Sequence, residues 1–428
     1  MKLPLLALTL AAANATAQDP IGTWIDGQLD DLESLYRQFH RAPELSFHET
    51  QTAARLAEQL EQAGLQVTRG VGGTGVVAVL SNGDGPVGMF RTDMDALPIA
   101  EQTGLEFAAP HQGTSADGQP VGVMHACGHD LHMTNMVGAA RWLATHQPQW
   151  RGTLVFVGQP AEERAGGAKA MLAAGLLERF PRPLWALAAH TAADLPADSI
   201  GMRSGFAMAN VDSCDITMFG RGGHGASPHL AIDPILQAAT LVVELQSIVA
   251  REVDPVEPSV VTVGAIHGGS KHNIIDDRCS LQLTLRSYSP KVRALLMAAV
   301  ERKARAVADG ARAPAPKVEF SEPTPALAND RQLTARLDAV FKQTLGADHV
   351  VEVPPTMGAE DFGRFGDAGV PICMFRIGTI ARDRLQQLQQ AGNLPPLHSA
   401  RYWPDLRPAL RTGLLATIAA LRALLPPP

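Results

Sequence analysis

Aromatic residues make up only 5% of this 428-residue chain; tyrosine occurs three times and cysteine four. So few rings leave no surface on which successive bases of a nucleic acid could stack. There is no long basic run and the net charge is −7, which removes the electrostatic basis for binding nucleic acid or an anionic membrane. Nor does any stretch approach the ~20 consecutive apolar residues of a membrane-spanning helix. The hydrophobic and charged fractions, 46% and 18%, are those of a globular chain and not of a disordered one. Cys214, Cys279 and Cys373 read as small buried apolar side chains, with Cys214 and Cys279 on strands of one segment that can be neighbours. Cys127 differs, because histidines flank it on both sides.

The N-terminus departs from globular composition. Met1-Lys2 is followed by the apolar run Leu3–Ala13 and the small-residue end Ala15-Thr16-Ala17. That order predicts a secretory signal over residues 1–17, cut after Ala17, and hence an exported protein, periplasmic or secreted. The length beyond it exceeds one ordinary core, so two domains or one domain with an insertion are expected.

Apolar spacing predicts helices over Leu29–His40 and Glu49–Ala63, then short apolar strands at Gly75–Leu80, Val87–Arg91, Thr153–Gly158 and Leu184–Ala189. Helical segments lie between them, notably His129–Thr145 and Gly166–Leu177. Strands alternating with helices imply an α/β domain with a mainly parallel sheet, whose ligands gather at the carboxyl ends of strands. From about Val211 the rhythm becomes β-α-β-β-α-β, the ferredoxin-like order, ending with a strand at Lys317–Ser321. The α/β pattern then resumes with a helix at Arg331–Leu345, a strand at Pro371–Gly378 and a helix at Leu406–Leu425. Proline and alanine crowd residues 313–316, as at a domain boundary. The chain is therefore divided into residues 18–210 and 317–428 as one domain, with 211–316 inserted as an α+β domain.

Chemistry concentrates in Met124–His132, MHACGHDLH, which holds a thiol, imidazoles and a carboxylate. Thiolate with imidazole and carboxylate suits zinc, manganese, cobalt or nickel. Cys127 and His129 converge on a metal if Gly128 keeps the loop tight; His125 and His132 are weaker candidates, and His132 reads as a packing or hydrogen-bonding group. Glu162 and Glu163 follow an apolar strand, and adjacent acids in one site call for a cation. With metal present, one can bind it while the other moves a proton from water to a leaving amine. His190 and His398 complete the candidate ligands. Asp93, in RTDMDALP, is placed to hold a metal-binding histidine by its other ring nitrogen, while Asp95 reads equally as a support or a turn cap. His224 in GRGGHGASPH is flanked by glycines that leave it free to project toward an oxyanion. Asn273 and Arg286 are candidates for a substrate carboxylate, Arg286 by a bidentate pair.

Taken in order, RTDMDALP, MHACGHDLH, QPAEE, GRGGHGASPH, GAEDF (Gly358–Phe362) and LHSARY resemble one family closely, from about Leu29 to Leu421. It is the amidohydrolase branch of the dinuclear metallopeptidases, which includes hippurate hydrolase, bacterial N-acyl-amino-acid amidohydrolases and plant indole-acetyl-amino-acid hydrolases. The resemblance implies a zinc-peptidase-like catalytic domain with a ferredoxin-like lid that forms a homodimer, and two divalent ions (Mn²⁺, Zn²⁺, Co²⁺ or Ni²⁺). By motif position it implies Cys127, His129, Glu163, His190 and His398 as ligands and Glu162 as general base. His224 would reach a site across the dimer, and Asn273 and Arg286 would meet the substrate carboxylate. The chain departs from the pattern at Asp276, where the family usually has proline, and at AAHTAADLP after His190, which lacks the usual aromatics. The expected reaction is hydrolysis of the amide bond of a small N-acyl-amino acid or short peptide. The rivals are a carboxypeptidase or dipeptidase on the same scaffold and a non-catalytic binding protein.

Overall fold

The computed structural model describes residues 20–110, 112–114 and 118–427, so the signal expected over 1–17 lies outside the described residues. In chain order the larger domain begins with α1 (Pro20–His40), α2 (Thr50–Gln62), β1 (Gln66–Val71), β2 (Gly75–Asn82), β3 (Val87–Asp93), α3 (His129–Thr145), β4 (Gly152–Gln159), β5 (Trp185–Pro196) and β6 (Ile200–Met202). The lid follows as β7 (Asn210–Phe219), α4 (Pro234–Arg251), β8 (Ser259–Gly268), β9 (Arg278–Ser287), α5 (Pro290–Gly310) and β10 (Lys317–Thr324). The chain then returns with α6 (Arg331–Leu345), β11 (Val350–Glu352), β12 (Ile372–Ile380) and α7 (Leu406–Leu424).

The larger domain is an eight-stranded sheet in the order β1-β2-β4-β3-β5-β12-β6-β11. Its centre, β4-β3-β5-β12, is parallel, and the antiparallel pairs are β1–β2, β2–β4 and β12–β6. The central strands are buried almost throughout, as strands covered by helices on both faces must be. Helix α3 is buried on nearly every side, which is why its sequence lacks a polar face. It packs so closely on α7 that a side chain at Gly138 would meet Leu414 Cδ2 at 2.5 Å. That packing holds the N-terminus of α3, with His129, over the carboxyl ends of β3 and β4.

The lid is a four-stranded antiparallel sheet, β8-β9-β7-β10, backed by α4 and α5 around its own core, which includes Ile216, Leu245, Leu281 and Leu296. Both helices start as their sequences require. Asp233 accepts from Ile235 N and Leu236 N ahead of Pro234, and Ser289 accepts from Val292 N ahead of Pro290. β10 pairs with β7, so the lid runs past residue 316 to Thr324, and 313–316 is the connection from α5 to β10, not the exit from the lid. A proline-rich loop inside a domain looks the same in sequence as one between domains. Cys214 faces Leu283 and Cys279 faces Met218 across β7 and β9, and all four thiols are free and buried. Among the described residues no helix is long and apolar enough to cross a membrane.

Candidate metal centre

Three backbone turns bring the chemistry together, each held in a conformation that side chains ordinarily avoid. Gly128, between Cys127 and His129, has φ 80°, and a Cβ there would meet Thr191 Cγ2 at 2.8 Å, so glycine is demanded twice. Ala161, just before Glu162, has φ 47°, and His398 has φ 65°. Non-glycine residues in this region are costly and concentrate at functional sites. The surroundings over-determine them. Asp95 accepts from Glu162 N at 3.1 Å and from Glu163 N at 3.0 Å, Glu49 accepts from Ala161 N at 2.8 Å, and His398 N donates to Ala126 O at 2.9 Å. Asp95 is thus the group that aims the glutamate pair, with Ser46 Oγ donating to it at 2.6 Å.

The donor atoms form a continuous chain. His129 Nε2 lies 3.8 Å from Glu163 Oε1, which lies 3.4 Å from His398 Nε2. His398 Nε2 lies 3.3 Å from Cys127 Sγ, which lies 3.6 Å from His190 Nε2. Ligands bound at ~2.0–2.3 Å to a tetrahedral ion stand about 3.3–3.8 Å apart, so these separations fit ligation. Cys127 belongs both to a triad with His129 and His190 and to one with Glu163 and His398. His129 Nε2 and Glu163 Oε1 are buried without a hydrogen-bond partner, an expensive state that a cation would relieve. The tautomers also suit. His129 Nδ1 donates to Asp95 O at 2.8 Å and His190 Nδ1 donates to Thr191 O at 2.8 Å, which leaves each Nε2 lone pair facing the cluster.

The electrostatics call for positive charge at the same place. Burial pulls the His129 imidazole down, but Asp93, Asp95 and Glu163 overcome it and hold it at about 10. A field that retains a proton so firmly would equally favour a metal cation. Burial, then His132 and Arg376, push His190 well down, so it is neutral and able to ligate. Burial, then Glu360 and Glu163, push the Glu162 carboxyl well up, as suits a proton acceptor. Its Oε2 stands 4.0 Å from His129 Nε2.

Behind the cluster, Arg91 ties three acids together. It donates to Asp93 Oδ2 at 2.8 Å, Glu360 Oε1 at 2.9 Å, Asp361 Oδ1 at 3.2 Å and Gln159 Oε1 at 3.0 Å, with its side chain 1% exposed. Asp93 departs from expectation. It receives His132 Nδ1 at 2.6 Å, while His129 is oriented by the Asp95 carbonyl. His132 Nε2 accepts from Thr191 N at 2.8 Å, so both its nitrogens are engaged and it stands outside the donor chain. His125 also lies outside it, buried, with its ring pushed down to about 4.

The cluster opens into a cleft of about 740 Å³ that also includes Arg203, Arg286 and Arg376. Arg286 lies in this cleft, with Nη1 donating to Met357 O at 2.6 Å. His224 and Asn273 lie elsewhere. Both are exposed on the lid, side by side, where His224 pairs with Ile274 and Gly225 N donates to Asn273 O at 2.8 Å, and neither lines the cleft of its own chain. Their separation from Arg286 was invisible in sequence, because strand order, not spacing, decides which edge a residue occupies. Arg91, Glu360 and Arg376 went unread as single charges on strands and loops. Only the run GAEDF hinted at Glu360.

A cluster of imidazole, thiol and carboxylate, buried except at His398, at the carboxyl edge of a parallel sheet and under a ferredoxin-like lid, defines a metallohydrolase-type centre. Residues 89–389 match the model of peptidase family M20/M25/M40, and the chain belongs to that family, as a metal-dependent hydrolase of amide bonds. It is 37% identical to a probable hydrolase of Synechocystis, over 90% of this chain and 94% of the relative. It is 34% identical to thermostable carboxypeptidase 1 of Saccharolobus solfataricus, over 90% and 93%, and 36% identical to the hippurate hydrolase of Campylobacter jejuni, over 78% and 85%. The crystal structure of Bacillus subtilis YxeP, described as a dinuclear metal-binding peptidase of family M20, superposes with a TM-score of 0.77 at 27% identity, covering 94% of this chain and 99% of that one.

Proposed function

We propose that this protein hydrolyses the amide bond of N-acyl-amino acids at a centre of two divalent ions held by Cys127, His129, Glu163, His190 and His398. The observation that carries the reading is the donor chain itself, with partnerless His129 Nε2 and Glu163 Oε1 beside Glu162, whose Oε2 stands 4.0 Å from His129 Nε2. Bound there, the ions would polarise the scissile carbonyl and acidify water. Glu162 takes the proton from the attacking water and hands it to the leaving amine nitrogen, so one carboxylate serves as base and then as acid. Arg286 receives the α-carboxylate of the amino acid by a charge-assisted pair. His224 donates to the oxyanion and Asn273 assists at the substrate, both from a partner subunit across a homodimer of lids. Their exposure and their adjacency at one pair of short antiparallel strands support delivery in trans. Residues 1–17 support export of the chain, which is checked by whether the mature natural protein begins at Gln18.

Removing metal with a chelator is expected to abolish turnover of N-acyl-amino acids, and Mn²⁺ or Zn²⁺ to restore it. Full activity in a protein shown to be metal-free would contradict the reading. Faster cleavage of free dipeptides or peptide C-termini than of N-acyl-amino acids would favour the peptidase rival, which the family and the carboxypeptidase relative support.

A further inference from the structure

Arg376 projects from the middle of β12 into the cleft, opposite Gly201 of β6 and beside His190 of β5. Among the described residues, two atoms lie within reach of its fork of N–H donors. Nη1 is 3.4 Å from His190 Nδ1, and Nη2 donates to Met208 Sδ at 3.1 Å. The first is no acceptor, because that nitrogen carries the hydrogen it gives to Thr191 O. The second is a weak one. Glu360, Asp194 and Glu162 act on its charge from a distance, yet among the described residues no carboxylate forms an ion pair with it. Glu360 is turned instead to Arg91 and Phe362 N. A half-buried guanidinium without an anion gains from one that completes its fork, by a charge-assisted pair.

The position of Arg376 says which part of a substrate supplies that anion. Arg286 is anchored on Met357 O, while Met208, on which Arg376 rests, bridges to Thr356 and lies 3.1 Å from where a Gly358 Cβ would be. Both guanidiniums therefore gather on one loop, residues 356–358, at one end of the cleft. Arg203 also lines the cleft, with Nη1 paired to Glu352 Oε1 at 3.3 Å and only its Nε buried and partnerless. Gly201 keeps the place open, since a side chain there would meet Arg376 Cβ at 3.0 Å. Anionic groups bound by Arg286 and Arg376 would thus both face this loop.

We propose that Arg376 binds the side-chain carboxylate of an acidic amino acid whose α-carboxylate meets Arg286, making N-acyl derivatives of aspartate and glutamate the preferred substrates. This rests on the amidohydrolase reading and names its substrate class. The test compares kcat/KM for N-acetyl-L-glutamate, N-acetyl-L-methionine and N-succinyl-L-methionine in the wild type, Arg376→Met and Arg376→Lys. Calorimetry of N-acetyl-L-glutamate on metal-loaded Glu162→Gln protein, with and without Arg376→Met, reads binding apart from turnover. The wild type is expected to favour glutamate over methionine by about a hundredfold, the worth of a charge-assisted pair. Arg376→Met should erase that ratio and weaken calorimetric binding by a similar factor. Arg376→Lys should restore part of it, keeping the charge without the fork. An equal loss on all substrates would make Arg376 a support for His190 and overturn the proposal. A preference for the N-succinyl substrate would move the second carboxylate to the acyl side and overturn it too. If no N-acyl-amino acid is cleaved, the amidohydrolase reading falls. Calorimetry then still decides for Arg376, which is upheld if Arg376→Met abolishes binding and overturned if binding is unchanged.

Discussion

Glu162 and Glu163 sit on a turn whose main-chain donors are claimed by Asp95 and whose approach is clamped by Glu49. His224 and Asn273 sit on an exposed pair of short strands, where the His224 ring accepts only from Ala226 N two residues away. The first region is complete before any partner or substrate arrives, and the second is presented outward and has little to act on within its own chain. Buried groups aimed by other buried groups are preorganised, which is where electrostatic catalysis gains most. Exposed groups can serve only when another surface is brought to them. On the proposed function, the centre divides into a half built in one chain and a half supplied by assembly.

The comparison can be sharpened from the catalytic side first. Glu162→Gln keeps the size and the Asp95 struts and removes only the proton acceptor, so kcat should fall on the order of 10³-fold with metal content unchanged. Near-normal kcat would remove Glu162 as the base. Arg91→Met should strike stability instead. It strands Asp93, Glu360 and Asp361 in the interior at a cost of about 3–5 kcal/mol, read as a lower urea midpoint. A midpoint within error of wild type would mean that the buried half is not wired as described.

A third test uses pH. His40 donates from Nδ1 to Asp130 at 2.7 Å and from Nε2 to Glu101 at 3.2 Å, joining α1 to the first turn of α3. Burial lowers its pKa, but the hydrogen bonds to Asp130 and Glu101 outweigh burial and raise it from 6.5 to about 9. A value raised on folding means that the contribution, on the order of 3 kcal/mol, is complete below about pH 6.5 and fades as pH rises through about 9. Urea midpoints of wild type and His40→Gln should therefore converge between those values; a constant gap would contradict the clamp. His224→Ala gives the smallest effect, a kcat loss on the order of 10²-fold, with the midpoint unmoved because the ring is exposed. Loss of metal in this variant would place His224 in the wrong half.

Much of this was legible from spacing alone. The boundaries of α3 and α6 match the predicted helices residue for residue, α6 by its amphipathic periodicity and α3 by a long apolar run that opens after Gly128. The short strands β6 and β11, at one end of the sheet, escaped notice, being three residues each and defined only by their partners. β5 also runs on past His190 to Pro196, since β12 pairs along its whole length while β3 leaves it at Ala188. The ligand candidates converge as their motifs suggested, whereas the struts did not announce themselves. Whether Asp93 holds His129 or His132, or Asp95 caps a turn or aims two glutamates, depends on contacts across dozens of residues that no local pattern encodes. Arg91 and Arg376 look alike in sequence; one is surrounded by acids and the other by none within ion-pair reach.

The division of the centre is tested most directly by mixing two inactive variants. Glu162→Gln and His224→Ala subunits, co-expressed under separate tags and purified together, are assayed on an N-acyl-amino acid. If His224 acts across a dimer, each mixed pair holds one whole site, and about a quarter of wild-type turnover should return on random pairing. If the mixture stays as inactive as its parents, His224 does not complete a neighbour's site and the two-half account is wrong.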